Sequence, residues 1–232
     1  MNPKILYHGS NMIIENPKLG KGNPHNDYGL GFYCTENIEL AKEWACLDKG
    51  GGFANIYTID TDNLAILNLS DENYSIVNWL ALLVNNRTFR IGSQIAAQAK
   101  DYLLTNFLLD TSTFDAIIGC RADDSYFAFA MDFLNNTISL RQLEKAMYLG
   151  NLGEQFMLKS KKAFGLIEFI GTETASGETY YIKRLSRDNE ARESYLSSER
   201  KSTSASDDLF MIDILRQEIK SDDARIQRKI FE

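Results

Sequence analysis

The sequence predicts an α+β fold. Three observations carry that expectation. Short β-type runs such as Ile5–His8 and Phe114–Cys120 are mixed with stretches of helical spacing, and strands and helices do not alternate strictly as in a doubly wound sheet. Hydrophobic residues make up 44% of the 232-residue chain, enough to bury a real core. The length suits one domain of ordinary size with an appendage.

Element by element, Ile5–His8 reads as a strand and Gly9-Ser10 as the turn after it. Pro17, Gly20, Gly22 and Pro24 mark a surface loop. Gly29 to Thr35 reads as a turn feeding a short strand. A helix then runs from Glu36 to Asp48, with Thr35 as its cap and Glu36 and Glu39 at the positive end of its dipole. Its apolar side holds Ile38, Leu40, Ala41, Trp44, Ala45 and Leu47, and Glu36, Glu39, Lys42 and Glu43 take the solvent side. Three glycines, Gly50 to Gly52, stop it. Ile56–Ile59 and Leu64–Leu69 read as strands, Ile76–Val84 and Ser93–Leu108 as helices, and Phe114–Cys120 as a buried strand. Tyr126–Leu134 reads as a helix capped by Asp124 or Ser125. Ser139-x-x-Gln142 is a capping box opening the helix Leu140–Leu149. Gln155–Lys159, Leu166–Ile170 and Tyr180–Ile182 read as strands. The composition turns polar and serine-rich near Ser186, which divides the chain into a main body over 1–185, a linker or arm over 186–208, and an amphipathic helix and tail over 209–232. Leu209, Ile212, Leu215, Arg216 and Ile219 form the docking side of that helix.

Net charge is −7, which argues against general electrostatic binding to nucleic acid or anionic membrane. No apolar stretch approaches membrane-spanning length, and the N-terminal residues do not read as a secretory signal. The three cysteines, Cys34, Cys46 and Cys120, match no disulfide framework, and with two histidines a multi-histidine metal site is not expected. The expected location is the cytoplasm and no metal is expected.

Three pieces carry chemistry: Tyr7-His8-Gly9-Ser10; Tyr28-Gly29-Leu30-Gly31-Phe32-Tyr33 with Trp44 in the following helix; and Gly153-Glu154-Gln155-Phe156-Met157-Leu158. A nicotinamide riboside needs an exposed backbone amide and carbonyl for its carboxamide, aromatic faces for its ring, and polar groups for its ribose hydroxyls. His8, Gly9, Ser10, Tyr33 and Trp44 supply such groups. The glycines flanking Leu30 allow a tight bend beneath a ligand beside Tyr28.

The first two pieces resemble the histidine–tyrosine branch of ADP-ribosyltransferases, which includes diphtheria toxin and the poly(ADP-ribose) polymerases. The run DYGLGFYCTEN…LAKEWA is similar to a bacterial group of uncharacterised transferase-like proteins, some of them toxin-like with partner antitoxins. The similarity covers roughly residues 4 to 170. It implies a split β-sandwich core with surrounding helices and NAD⁺ as co-substrate. It implies that His8 bonds a ribose hydroxyl, that Gly9 pairs with the carboxamide and Ser10 supports it, and that Tyr33 stacks on the nicotinamide, with Trp44 as a second stacking aromatic. Tyr28 and Gly31 would complete the cofactor wall. The implied reaction transfers ADP-ribose to a macromolecular acceptor, in a toxin–antitoxin or anti-phage setting. An NAD glycohydrolase and a catalytically silent NAD-binding module are the alternatives.

The third piece departs from that branch, which carries a glutamate where this chain has Gln155. Either Gln155 acts by positioning alone, or a local bulge brings Glu154 in. Simpler roles stand beside these. Tyr33 and Trp44 also suit a core, and Cys34 suits an inert thiol better than a nucleophile. Arg121 pairs with Asp123 and Asp124 or contacts a phosphate. Lys159, Lys161 and Lys162 suit a solvated edge strand.

Overall fold

The computed structural model describes residues 3–122, 124–149, 153–201 and 207–227. The fold is α+β, built on two sheets. One is antiparallel, with β3 (Gly52–Ile59) between β1 (Lys4–Ser10) and β7 (Ile167–Ala175). The other runs in the order β2 (Phe32–Cys34), β6 (Glu154–Leu158), β5 (Ala116–Cys120), β4 (Ile66–Asn68), with β4 and β5 parallel and the other pairs antiparallel.

The sheets face each other across an apolar layer. Leu6, Tyr57 and Ile59 come from the first, and Phe32, Cys34, Phe156 and Leu158 from the second. A backbone bridge joins them where the Tyr7 N–H donates to the Thr35 carbonyl (2.8 Å) and the Thr35 N–H donates to that of Tyr7 (2.9 Å). Beyond this seam β1 and β2 diverge.

Helices cover the outer faces. On the second sheet lie α2 (Ile76–Asn86), α3 (Gln94–Asn106), α4 (Asp124–Leu134) and α5 (Leu140–Met147). The run Trp79 to Val84 is buried throughout because α2 is enclosed by its neighbours as well as by the sheet. On the first sheet lies α1 (Ile38–Ala45), over Gly9, Gly52 and Ala54, whose lack of bulk lets the helix backbone approach. A Cβ at Gly9 would stand 2.0 Å from the Ala41 carbonyl oxygen, so glycine there is a packing requirement of α1.

Several expectations need correction. Asn37, not Thr35, caps α1, its Oδ1 accepting from the N–H groups of Glu39 and Leu40 (2.9 and 3.3 Å). Gly52 continues into β3 instead of ending as a helix stop. The strand expected to lie at a solvated edge, β6, is internal, and Lys161 and Lys162 open a short helix, α6 (Lys161–Leu166).

The largest difference is at the C-terminal side. Tyr180–Ile182, expected as a strand, and the polar segment beyond 186 form one helix, α7 (Gly177–Ser194), followed by a π-helical turn at Tyr195–Glu199. The side of α1 expected to face water is what holds it. Glu43 is buried and takes the Arg187 guanidinium on both oxygens at 2.8 Å, while Glu39 accepts from the Tyr180 hydroxyl and Lys183 (3.0 Å each). Further on, Tyr195 stacks on Phe129 of α4 (4.0 Å) and donates to Asp132 (2.6 Å). The remainder of the expected arm, 202–206, lies outside the described residues, as does the end of the tail, 228–232. The expected C-terminal helix is shorter, α8 (Met211–Arg216), with α9 (Ala224–Gln227) after it. Met211 and Ile214 carry its buried side, and Arg216 is exposed. No helix among the described residues is long and apolar enough to cross a membrane.

Candidate functional site

The seam between the sheets brings the first two sequence pieces together. Tyr7 spends its N–H and C=O on Thr35 across the seam. Two residues on, the N–H and C=O of Gly9 face the same way, because these groups alternate along an antiparallel strand. There β2 has already moved off; by the same alternation Gly9 turns its N–H and C=O away from its ladder partner Ala54, and no backbone bond to Gly9 outside the strand ladder is found among the described residues. Gly9 thus offers a donor and an acceptor at the mouth of the seam.

His8 lies against this opening. Its ring stacks on Phe32 (4.3 Å), and its Nδ1–H donates to the Tyr33 carbonyl (2.6 Å). Burial depresses the affinity of His8 for a proton, and the bond to Tyr33 only partly offsets this. The ring is therefore neutral near pH 7, and its Nε2 is left as an acceptor.

Tyr33 points to the opposite side of β2 from Phe32 and Cys34 and packs on the helix-covered core. Its hydroxyl donates to the Gly29 carbonyl (2.6 Å) and accepts from the Tyr28 N–H (3.1 Å). Burial pushes its proton affinity up, so it stays a neutral phenol. Trp44 is partly exposed on α1, with its Cβ against Gly9. The Arg121 guanidinium, just past β5, lies 4.2 Å from the Trp44 ring. Arg121 thereby connects α1 to the end of the second sheet. Asp123 and the side chain of Asp124, its expected partners, lie outside the described residues.

The third piece divides between two faces. The β5–β6 ladder is regular from Ala116↔Leu158 to Cys120↔Glu154, without a bulge. Gln155 shares the face of Met157, and Met157 pairs with Tyr33 in register. Glu154 therefore points the other way. It is exposed, accepts from the Ser70 hydroxyl, and lines an open groove of about 390 Å³ with Thr35, Glu36, Asn37 and Leu40. Gln155 is buried, and its Nε2 donates to Asp27 Oδ2 (2.8 Å) and to the Cys120 carbonyl (3.3 Å).

Three expected lining residues have other work. Tyr28 is buried, with its hydroxyl donating to the Cys120 carbonyl (2.6 Å). A Cβ at Gly31 would come within 2.2 Å of the Met157 sulfur, so that glycine admits β6. The Ser10 hydroxyl accepts from the Met12 N–H (3.3 Å) and closes the turn after β1. Cys34 is fully buried, and burial pushes its thiol far from ionisation.

Sequence reasoning missed Asp27 and Arg87. Asp27 is only 4% exposed, and Arg87 Nε donates to its Oδ1 at 2.7 Å. Its Oδ2 accepts from the Ala122 N–H (2.8 Å) as well as from Gln155. The partners stand about 60 to 130 residues away in sequence, so no local spacing could reveal them. The one signal was an aspartate directly before an apolar glycine-rich turn.

With this geometry in place, comparison with known proteins adds one finding. Residues 4–169, more than two thirds of the chain, match the family described as "Protein of unknown function (DUF3990)", and the chain belongs to that family. No curated protein and no solved structure matches it.

Proposed function

We propose that this member of the DUF3990 family is an NAD-dependent mono-ADP-ribosyltransferase that modifies a macromolecular acceptor, a toxin-like effector restrained by a partner protein. The observation that carries the reading is the free backbone edge of Gly9 at the seam. A primary carboxamide needs one acceptor and one donor side by side, and Gly9 presents that pair. His8 Nε2 beside it is an acceptor for a ribose hydroxyl, and the partly exposed Trp44, with the Arg121 guanidinium over one face of its ring, has its other face for the pyridinium ring. Two sheets joined at one seam agree with the split β-sandwich that the resemblance implies.

In this reading Tyr33 is a wall of the nicotinamide pocket. Cleavage of the glycosidic bond leaves an oxocarbenium-like sugar that the acceptor nucleophile attacks from the other face. The protein holds the strained conformer and orients both partners. A second reading, a binding module without turnover, is favoured by one feature: the position of β6 at which the resembled branch carries a glutamate holds a neutral amide already engaged by Asp27.

The test is direct. Purified protein is titrated with NAD⁺ while tryptophan fluorescence is followed, since Trp44 is partly exposed and Trp79 is 2% exposed. It is then incubated with labelled NAD⁺ and cell lysate. Saturable quenching and acceptor labelling are expected, and His8→Ala and Tyr33→Ala abolish the labelling. Quenching without nicotinamide release establishes the binding module. Free ADP-ribose without a labelled acceptor makes the protein a glycohydrolase. Absence of both binding and release overturns all three.

A further inference from the structure

The neutral residue at the third position has a physical cause in the buried carboxylate beside it. Asp27 Oδ2 and the Cys120 carbonyl oxygen both face one end of the Gln155 carboxamide, at 2.8 and 3.3 Å. An ionised carboxylate and a carbonyl only accept hydrogen bonds, so the NH₂ end of the amide belongs there. The carboxamide oxygen is thereby turned away from Asp27. The carboxylate itself cannot swing, because Arg87 Nε holds its other oxygen at 2.7 Å and the Ala122 N–H holds Oδ2 at 2.8 Å. The Asn86 side chain also donates to the Asp27 carbonyl (3.2 Å). Two residues on, Gly29 accepts from the Tyr33 hydroxyl. One pinned turn therefore orients Gln155 and the Tyr33 phenol, which share a face of the second sheet.

We propose that Asp27 is a positioning residue of this site: it grips the amide nitrogen of Gln155 so that the Gln155 oxygen is a fixed acceptor for a hydroxyl of the nicotinamide ribose. The proposal rests on the NAD⁺ reading and deepens it. It also explains why this position is not glutamate. A carboxylate at 155 would stand beside Asp27 in a site nearly closed to water, where two like charges do not both persist.

The test uses the full chain as wild type, Asp27→Asn, Gln155→Glu and the double variant Asp27→Asn/Gln155→Glu, with two readouts. The first is melting temperature from pH 5 to pH 8.5 without ligand. In Gln155→Glu the paired carboxylates hold a proton more tightly folded than unfolded. That variant therefore loses stability relative to wild type as pH rises, and the double variant, with one carboxylate, does not. The second readout is nicotinamide release. Asp27→Asn lowers kcat by about 10²-fold, the cost of a misplaced acceptor, with little change in KM. Gln155→Glu gains a pH dependence of kcat that the double variant lacks. A Gln155→Glu melting profile parallel to wild type at every pH overturns the proposal even if Asp27→Asn fails to fold. Wild-type kcat and KM in Asp27→Asn overturn it while leaving the transferase reading intact. A wild type that neither binds NAD⁺ nor releases nicotinamide removes that reading, and the positioning role goes with it.

Discussion

Asp27 and Glu43 are carboxylates buried to the same depth, 4% and 3% exposed, and each faces an arginine. They hold the molecule in different ways. Asp27 gathers four segments: its own turn, Arg87 after α2, Ala122 after β5, and Gln155 of β6. Glu43 gathers two helices, through the single guanidinium of Arg187. A charge shared among many fixed donors sets the shape of a site. A charge shared by one pair clamps one element to another, and the clamp can open without deforming either helix.

Asp27→Ala should break that contrast hardest. It takes the carboxylate away from Arg87 Nε, the Ala122 N–H and the Gln155 amide at once, leaving Arg87 only the Ala122 carbonyl and Gln155 only the Cys120 carbonyl as acceptors among the described residues. Removing one partner of a buried pair costs about 3–5 kcal/mol. The loss should appear as a lower denaturation midpoint of the whole body, because all four segments are knit into the core. A change confined to the 26–31 turn, with the global midpoint unmoved, would contradict the network.

Glu43→Ala should cost less, about 1.5–3 kcal/mol for hydrogen bonds to a charged group, because one side chain, Arg187, loses this acceptor, whereas Asp27→Ala removes the acceptor of Arg87, Ala122 and Gln155 together. Its signature is local. Hydrogen exchange should rise along α7 and the Tyr195–Glu199 turn while the amides of β3 and β5 keep their protection. Equal loss of protection in α7 and the sheets would show that the clamp is part of the central core.

The same contrast explains what could be read from the sequence. The strands β1, β2, β5 and β6 and the helices α1 to α5 were legible because apolar period and capping residues are local signals: Ser139 and Gln142 form the capping box their spacing promised. The strand at Tyr180–Ile182 was misread because two tyrosines and an isoleucine favour strands in isolation. The arm after Ser186 was misread because α7 is held by polar partners. Tyr180, Lys183 and Arg187 recur at helical spacing, but the pattern becomes meaningful only when Glu39 and Glu43 lie opposite. In the site, the sequence pieces of His8-Gly9 and Tyr33 do meet, through the bond from the His8 ring to the Tyr33 carbonyl, but the turn of the Tyr33 phenol to the helix-covered side, the packing duties of Tyr28 and Gly31 and the grip of Asp27 on Gln155 depend on long-range contact.

A third carboxylate sharpens the comparison from the weak end. Glu144 on α5 has Arg141 one turn away, but that guanidinium turns to Asp208 (2.8 Å) and Asp207 (3.7 Å), and Glu144 Oε2 takes no hydrogen bond among the described residues. Burial lifts its pKa to about 7, with Arg141 opposing. The sign follows from the proton count: the folded state binds the Glu144 proton more tightly than the unfolded state, which releases it near 4.5. The stabilisation is therefore complete below about pH 4.5 and is lost as pH rises through about 7. Wild type should lose melting temperature between pH 6 and pH 8, and Glu144→Gln, which keeps the shape and cannot ionise, should lose less over that interval. The effect is the smallest of the three because one partly buried group is involved and no element depends on it. Identical slopes for the two proteins would mean that Glu144 is already ionised at pH 6, held by a partner as Asp27 and Glu43 are.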